Sequence, residues 1–521
     1  MRRVAVLLVT ALSVTVACAG RSQPDVSSQP EVTDTADSAA PTTSAPTPAT
    51  DAPTTTVAAT TTTVPGTPLP SVAWASCGEG LECGTLTVLL DHADPSKGTI
   101  DLYVERRPAR KPDQRIGSLL VNPGGPGVAG TVLAEQASFY FSDALRDRFD
   151  IVAWDPRGTG RSIPVDCVDD LDPSLIGQDP TPDSPEEVQQ LADTDAAFVA
   201  ACATRSGALL PYISTQATAR DMDSLRQALG EAKVSYFGLS YGSELGATWA
   251  TMFPDTVRAA VLDGAANPDA GWEADQTAQA VGLERGLIAA LQSCAADPGC
   301  PFYNGGDPLT AFETLSASLD AAPVTADPTR PPANQSLLMY ATGSTLYDSA
   351  HWDDLYRALA DAQAGDVRRL FALYDAYVRR APDGSFSNTI DAFSSIGCLD
   401  DPGPADPAEF PAIDARIRAA APHMGIGFGY PYVCAGWPAG LASPVRLTAA
   451  GAGPVLVVGT TGDAITPIES SRGLAAALEQ GVLLTVEGFR HTGYGLNKCS
   501  QQTVDAYLID QTVPAEGTVC S

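Results

Sequence analysis

The chain has 521 residues, 44% of them hydrophobic, and its 62 Asp and Glu against 31 Lys and Arg give a formal net charge of −31. This balance argues against a nucleic-acid partner, because phosphate binding needs a basic face that so acidic a chain does not provide. Length and composition suit one large α/β domain that carries an insertion and follows an unfolded N-terminal part.

Residues 1–18 have the pattern of an export signal: two arginines, an apolar run from Val4 to Val16, and Cys18. The apolar run is short for the alternative, a transmembrane helix. The end of the segment resembles a bacterial lipoprotein signal, in which Cys18 is lipidated and provides the only membrane contact. Because Thr15 replaces the usual aliphatic residue, ordinary cleavage at a small-x-small site stays open. We expect an exported protein, either a cell-envelope lipoprotein or a secreted one.

The chain has 11 cysteines, so lipidation of Cys18 leaves ten, an even set that suits disulfides in an oxidising compartment. Spacing along the chain cannot fix the connectivity, because ten cysteines allow hundreds of pairings. The pairs suggested by proximity in sequence are Cys77 with Cys83, Cys167 with Cys202, Cys294 with Cys300, Cys398 with Cys434, and Cys499 with Cys520.

Residues 19–70 are predicted to be a disordered tether. Between residues 41 and 70 there are twelve threonines and seven prolines, a composition that cannot bury enough apolar surface to fold. Such a segment holds the folded part away from a membrane or cell wall.

The folded part opens with runs typical of β-strands, some alternating in polarity and some almost wholly apolar, which predicts a sheet with outer antiparallel strands and a buried parallel centre. These runs are Gly84 to Leu90, Thr99 to Arg106, Gly117 to Val121, and Phe149 to Trp154. Residues 166–210 are polar, helical in pattern and bracketed by two cysteines, which indicates an excursion from the sheet.

The pentapeptide Gly238-Leu239-Ser240-Tyr241-Gly242 stands between an apolar strand pattern, Val234 to Leu239, and a helical pattern, Glu244 to Met252. A nucleophile elbow requires this context, with glycines two places either side of a serine in a strained turn. A solvent-exposed glycine turn is the alternative, because the chain has 46 glycines.

After the strand pattern Val257 to Leu262, residues 269–447 lack the strand-helix alternation and contain helical patterns such as Trp352 to Ala364 and Val367 to Arg379. We predict an α/β-hydrolase core with a mostly parallel central sheet and an inserted, mainly helical cap. The core occupies residues 71–268 and 448–521, and the cap residues 269–447.

Asp463 and His491 each follow a predicted core strand, Pro454 to Val458 and Gly481 to Val486 respectively. The order Ser240, Asp463, His491 is that of α/β-hydrolase triads, with His491 as the base and Asp463 as the acid that orients it. The rival acid is Asp263, which ends the strand after the elbow helix and is expected to form a turn with Gly264. The chain's other histidines lie outside the loop expected for the base, and are interpreted as surface or packing residues: His92, His351 and His423.

Backbone N–H groups must stabilise the oxyanion, one from the residue after the nucleophile and one from the loop after an earlier strand. Tyr241 supplies the first. In the loop Asn122 to Gly127, prolines lack an N–H, which leaves Gly125 as the expected second donor. The competing interpretation of this loop, a phosphate site, lacks the spacing of a P-loop or a dinucleotide fingerprint. No metal and no cofactor are expected.

Residues 122–127, 155–162 and 238–242, with Asp463 and His491, resemble the tripeptidyl aminopeptidase-like secreted serine hydrolases of actinobacteria, relatives of the prolyl aminopeptidases. The match covers most of residues 72–521, and further points of resemblance are the segment Ile396 to Asp400 and the cysteines Cys499 and Cys520. The resemblance implies an α/β-hydrolase that cleaves short peptides from a free N-terminus, often with esterase activity.

An aminopeptidase needs an anionic group that holds the substrate's ammonium, and the candidates are Asp400 and Glu244. Each has a plainer interpretation, Asp400 as a turn residue and Glu244 as a solvated helix residue. The substrate is therefore expected to be a peptide or an ester. The alternatives to an aminopeptidase are a carboxylesterase acting on lipid or small esters, or a catalytically silent cell-surface binding protein.

Overall fold

The computed structural model describes residues 70–267, 270–438 and 445–521. The predicted signal and all but the last residue of the tether lie outside the described residues, as does Cys18. Within the described residues, no helix is both long enough and apolar enough to span a membrane.

The described residues form one ten-stranded sheet with the order β1-β2-β3-β5-β4-β6-β7-β8-β9-β10. The pairs β1–β2, β2–β3 and β3–β5, at one edge of the sheet, are antiparallel. Every other neighbouring pair is parallel. The strands are β1 Ala75–Gly78, β2 Leu81–Leu89, β3 Thr99–Arg107, β4 Gly117–Asn122, β5 Phe149–Trp154, β6 Val234–Leu239, β7 Val257–Asp263, β8 Val455–Thr460, β9 Gly481–Val486 and β10 Val519–Cys520. This topology confirms the predicted α/β-hydrolase core.

The helices outside the segment between β7 and β8 are α1 Val132–Glu135, α2 Ala137–Tyr140, α3 Asp143–Arg148, α4 Asp172–Leu175, α5 Pro185–Ser206, α6 Thr215–Ala228, α7 Tyr241–Met252, α16 Ile468–Ala477 and α17 Lys498–Asp510. Between β7 and β8 lie α8 Trp272–Ala295, α9 Pro308–Ala321, α10 Gln335–Thr345, α11 Trp352–Gln363, α12 Arg368–Val378, α13 Thr389–Asp400, α14 Phe410–Ala420 and α15 Tyr432–Ala435. The name cap is kept below for α8 to α15.

Alternate residues of the central strands enter two apolar cores, because successive side chains of a strand point to opposite faces. Tyr236 and Leu262 belong to the core on one face, whereas Phe237 and Val261 belong to the core on the other. Strands β4 and β5 are buried at every position, which is why their sequences are continuous apolar runs. Two covered faces keep the strand ends rigid where the site is built.

The cap has an apolar core of its own, to which α8 through α12 contribute. Helix α8 also packs against the loop after β8, where a Cβ on Gly282 would lie 2.6 Å from the Pro467 ring and one on Gly286 2.8 Å from Ala464. Gln279 donates a hydrogen bond to the Ile465 carbonyl across the same contact. The cap is thus seated directly on the loop that carries Asp463.

Five disulfides join the pairs suggested by sequence proximity: Cys77–Cys83, Cys167–Cys202, Cys294–Cys300, Cys398–Cys434 and Cys499–Cys520. Of the 11 cysteines, only Cys18 is not among them. The Cys398–Cys434 bond ties the C-terminal end of α13 to α15, which fixes the cap where α13 approaches the core.

Candidate active site

Ser240 stands between β6 and α7 with φ 55° and ψ −126°, a backbone conformation that costs a non-glycine residue free energy. Neighbouring glycines make the turn possible. A Cβ on Gly238 would collide with the carbonyl of Gly242, and a Cβ on Gly242 would lie 2.8 Å from the carbonyl oxygen of Asn122. Although Ser240 is the N-cap of α7, its side chain makes no capping hydrogen bond. The strained turn therefore keeps the hydroxyl from the helix N-terminus, as a nucleophile elbow requires.

His491 and Asp463, 28 residues apart in sequence, meet beside the carboxyl ends of β8 and β9. The imidazole Nδ1 lies 3.0 Å from each carboxylate oxygen of Asp463. The same carboxylate accepts backbone N–H bonds of 2.9 Å from Ile465 and Thr466, and the Thr466 hydroxyl donates to its other oxygen over 3.1 Å. A buried carboxylate so held orients one tautomer of the imidazole and leaves Nε2 as the proton acceptor.

The hydrogen bond between Ser240 and His491 is not formed in this structure, because the buried Nε2 has no hydrogen-bond partner among the described residues. The two residues are nevertheless close neighbours. Ser240 donates its backbone N–H to Asp263 over 2.8 Å, and a Cβ on the next residue, Gly264, would lie 3.0 Å from the imidazole Cε1. Long catalytic hydrogen bonds are common in structures without substrate and shorten when substrate binds.

Asp263 has a different role from the turn expected of it. Its buried carboxylate accepts the backbone N–H groups of Gly493 (2.6 Å) and Tyr494 (2.8 Å), just after His491. Burial raises the pKa of Asp263 to about 6, against the opposing effect of those hydrogen bonds. Asp263 therefore contacts both Ser240, through its carbonyl, and the loop of His491, through its carboxylate, and holds the two segments in a fixed relation.

The three other histidines are engaged elsewhere. His92 contacts Asp221 at 2.9 Å, next to the buried Arg157. His423 lies between Glu284 and Glu313 in the cap, and these carboxylates raise its pKa to about 9 against the effect of burial. His351 is on the surface, 3.8 Å from Asp354.

The loop after β4 lies against the elbow. A Cβ on Gly124 would come within 2.9 Å of the Ser240 Cβ and 3.1 Å of the Tyr241 nitrogen, so only glycine fits there. The Gly124 N–H donates to the Asn122 side chain over 2.9 Å. Since Gly124 is thus engaged, Gly125 stays the predicted donor, together with the Tyr241 N–H, which begins α7 and has no partner within the helix.

The segment Asp155–Ser162 contacts the chain that follows this loop. Asp155 accepts hydrogen bonds from the backbone and hydroxyl of Thr131 (3.1 and 2.9 Å) at the far end of the glycine loop. The buried Arg157 bonds Asp221 and the carbonyls of residues 89, 90 and 212. Through Asp155, this segment therefore holds the chain that directly follows the loop 122–127, which contains the predicted oxyanion donor Gly125.

Four carboxylates, called the acidic cluster below, gather next to Tyr241: Glu244 of α7, Asp275 of α8, Asp400 at the end of α13, and Asp401. Both carboxylate oxygens of Asp400 accept the backbone N–H of Thr215, and one of them also accepts the Thr215 hydroxyl over 2.6 Å. That hydroxyl contacts the Tyr241 phenol as well. Sequence reasoning missed Asp275, because it lies 125 residues before Asp400 and only the tertiary fold brings the two together, and it assigned no binding role to Asp401.

The acidic cluster has no Arg or Lys partner among residues 70–267, 270–438 and 445–521. Burial and the neighbouring charges of Asp400, Asp275 and Asp401 raise the pKa of Glu244 to about 8. Burial raises the pKa values of Asp275 and Asp400 to about 6, and Asp401 adds to both. Such a concentration of uncompensated acid favours binding of a cation. The described residues hold no group of three or more His, Cys, Asp or Glu arranged as metal ligands.

The cap and His491, the predicted base, are joined by a short two-stranded ribbon, residues 347–349 with 489–491, called the cap–base ribbon below. His491 donates its backbone N–H to Tyr347 over 2.6 Å, Ser349 donates to Phe489 over 2.9 Å, and Asp348 pairs with Arg490 in antiparallel register. The Tyr347 ring meets the imidazole edge-on at a centroid distance of 5.4 Å. No sequence motif marked this contact.

Comparison with known proteins agrees with this geometry. A family model described as TAP-like protein matches residues 423–520. The serine protease Hip1 of Mycobacterium tuberculosis is 34% identical over 465 residues, which cover 85% of this chain and 87% of that protein. Carboxylesterase B of the same species is 36% identical over 482 residues, covering 88% and 92%. A tripeptidyl aminopeptidase of Streptomyces lividans is 30% identical over 475 residues, covering 86% of each chain.

Proposed function

The chain belongs to the tripeptidyl aminopeptidase-like family of serine hydrolases, and on that premise we propose that it removes short peptides from the free N-terminus of its substrates through an acyl-enzyme on Ser240. It is a serine hydrolase with an α/β-hydrolase core, and its relatives include proteins named as protease, aminopeptidase and carboxylesterase. The acidic cluster is the observation that favours the aminopeptidase.

The proposed reaction uses the groups in the order in which the elbow presents them. His491 takes the hydroxyl proton while Ser240 Oγ attacks the scissile carbonyl, and Asp463 stabilises the imidazolium. The N–H groups of Tyr241 and Gly125 stabilise the oxyanion, each worth about 2.7 to 4 kcal/mol in comparable enzymes. The imidazolium then protonates the leaving amine, and water releases the acyl group by the same steps.

The ammonium of the substrate is proposed to enter the acidic cluster. Glu244 lies one helical turn after Ser240, and Asp400 reaches the Tyr241 phenol through Thr215. An ammonium placed among these carboxylates supplies the charge that they lack and favours their ionised forms. A substrate without a free amine gains none of this.

Comparison of free and N-acetylated tripeptide anilides tests the proposal. We expect acetylation to lower kcat/KM at least 100-fold in the native enzyme. In Asp400→Asn and Glu244→Gln, only the free peptide should become a poorer substrate. Equal turnover of both anilides by the native enzyme would instead identify a carboxylesterase that also tolerates amides.

A fluorophosphonate probe tests the nucleophile separately from the substrate. The native chain is expected to be labelled, and Ser240→Ala is expected to lose labelling while it stays folded. Ser243→Ala is the matched control, since Ser243 is a buried serine of the same helix. Labelling that persists in Ser240→Ala would place the reactive group elsewhere.

Export and lipid anchoring are part of the proposal. Support comes from the ten cysteines paired in the structure, which suit an oxidising compartment, and from Cys18 as the one left over. Expression in an actinobacterial host with radiolabelled palmitate should label the native protein in the membrane fraction. Cys18→Ala should be unlabelled and should appear in the medium. An unlabelled native protein in the medium would show ordinary secretion.

A further inference from the structure

Tyr347, Tyr377 and Phe489 form an aromatic surface beside His491, called the aromatic ledge below. The Tyr377 ring lies 6.1 Å from the ring of Tyr347, which itself meets the imidazole. Tyr377 is 39% exposed and Phe489 48% exposed, unusual fractions for large apolar rings next to a buried catalytic group. The proposed mechanism gives these two rings no role.

The cap–base ribbon places the ledge and the imidazole on one face. Because Asp348 pairs with Arg490, position 347 lies opposite 491, and 349 opposite 489. Side chains alternate between faces along such a pair, so Phe489, His491 and Tyr347 project to the same side, and the charged Asp348 and Arg490 to the other. The ledge is therefore apolar, with phenol hydroxyls as its polar groups.

The chemistry places the departing part of the substrate beside the imidazole of His491. The base that accepts the serine proton afterwards donates it to the leaving amine, so the residue that carries this amine must lie beside the imidazole. The acyl part extends the other way in the proposed reaction, toward Tyr241 and the acidic cluster.

We propose that the aromatic ledge is the subsite for the residue on the leaving side of the scissile bond, and that it binds an aromatic or large aliphatic side chain. The Phe489 ring packs against Trp352, with ring centroids 5.4 Å apart, and against Gly462, where a Cβ would lie 2.5 Å from the ring. A ring fixed in this way offers a preformed apolar surface, which reduces the entropy lost on binding. The inference rests on an acyl-enzyme at Ser240, but not on which acyl group it carries.

The same subsite can be examined from the reverse direction. When an amine attacks the acyl-enzyme, its nitrogen bonds to the ester carbon, the bond from that carbon to Ser240 Oγ breaks, and His491 passes the amine's proton to Oγ. The product is an amide, and the amine occupies the position of the leaving group. Competition between amines and water therefore measures affinity at the ledge.

The experiment uses p-nitrophenyl acetate as acyl donor and amino-acid amides as acceptors. At equal acceptor concentration, phenylalaninamide should give at least ten times more amide product, relative to acetate, than glycinamide. Tyr377→Ala and Phe489→Ala should each reduce this ratio to less than threefold, whereas Tyr377→Phe should keep it. Phe139→Ala is the control, since Phe139 is 82% exposed on α2 and its ring contacts that of Tyr140 rather than a ring of the ledge.

A native enzyme that forms amide from both acceptors equally would overturn the subsite and leave the acyl-enzyme intact. The same conclusion would follow if both alanine variants kept the native preference. Absence of both nitrophenolate release and fluorophosphonate labelling in the native enzyme would overturn the acyl-enzyme at Ser240, and the subsite with it. A clear acceptor preference in an enzyme that ignores free N-termini would support the ledge while rejecting the aminopeptidase.

Discussion

At the residue scale, Asp263 makes contacts in the candidate site that its position in the sequence did not predict. Its carboxylate and its carbonyl hold the loop of His491 and the nitrogen of Ser240. In Asp263→Asn, an NH2 group replaces one acceptor and faces a backbone N–H. We expect fluorophosphonate labelling to slow at least tenfold with KM for peptides unchanged. An unaltered labelling rate in Asp263→Asn would contradict this positioning role.

Asp463→Asn should lower kcat by about four orders of magnitude, as in serine proteases.

The ionised carboxylate of Glu244 is predicted to lower the stability of the folded protein. Its pKa of about 8 in the folded protein exceeds the value of about 4.3 for an unfolded glutamate. Ionisation therefore favours the unfolded chain progressively as the pH rises from about 4 to about 8. Glu244→Gln should have a higher Tm than the native protein at pH 8 and an equal one at pH 4, by calorimetry. A lower Tm at pH 8 would mean that the carboxylate stabilises the fold.

The acidic cluster also predicts a pH dependence of substrate binding. The pKa of Asp400, about 6, means that it is increasingly protonated below that pH and attracts an ammonium less. A peptide α-amine loses its charge above about pH 8. The KM of a free tripeptide anilide should thus rise on both sides of the interval from about pH 6 to 8. The KM of p-nitrophenyl acetate, which lacks an amine, serves as control and should stay constant below pH 6.

At the scale of elements, the cap–base ribbon links the inserted helices to catalysis. Ser349→Pro removes the N–H that bonds Phe489 while placing proline at the first position of the short helix Ser349–His351, where proline is well tolerated. We expect kcat to fall several-fold with little change in Tm. Ser349→Ala keeps the backbone bond and should match the native enzyme, and equal kcat in both variants would show that the ribbon is dispensable.

Most core strands could be predicted to within two residues, because parallel strands buried on both faces are uninterrupted apolar runs. Strands β1 and β10 were missed: β1 is exposed throughout, and β10 has only two residues. Helix α6 begins at Thr215, where the Ser214 side chain caps it, a signal that is present in the sequence. The proximity of Asp463 and His491 could be predicted from chain order, whereas the positions of Asp275 and of the ledge depend on tertiary packing that no local pattern encodes.

At the scale of the whole molecule, the disulfides and the proposed lipid anchor at Cys18 together predict the state of the cysteines. Ten of the 11 cysteines are paired in the structure. A mature protein isolated from membranes should therefore show no free thiol in denaturant without reductant, and ten after reduction, measured by a chromogenic thiol reagent. One free thiol before reduction would show that Cys18 is retained and unmodified.

The cap–base ribbon has a consequence for engineering. Caps of hydrolases are often treated as exchangeable modules that can be transplanted to alter which molecules an enzyme accepts. Here the insertion supplies the carbonyl of Tyr347 that accepts the backbone N–H of His491, the proposed base. A chimera with a foreign insertion would thus lose rate as well as acquire a new preference, unless the donor sequence brings an equivalent of residues 347–349. In this chain, replacement of the cap is therefore expected to change substrate preference and catalytic rate together.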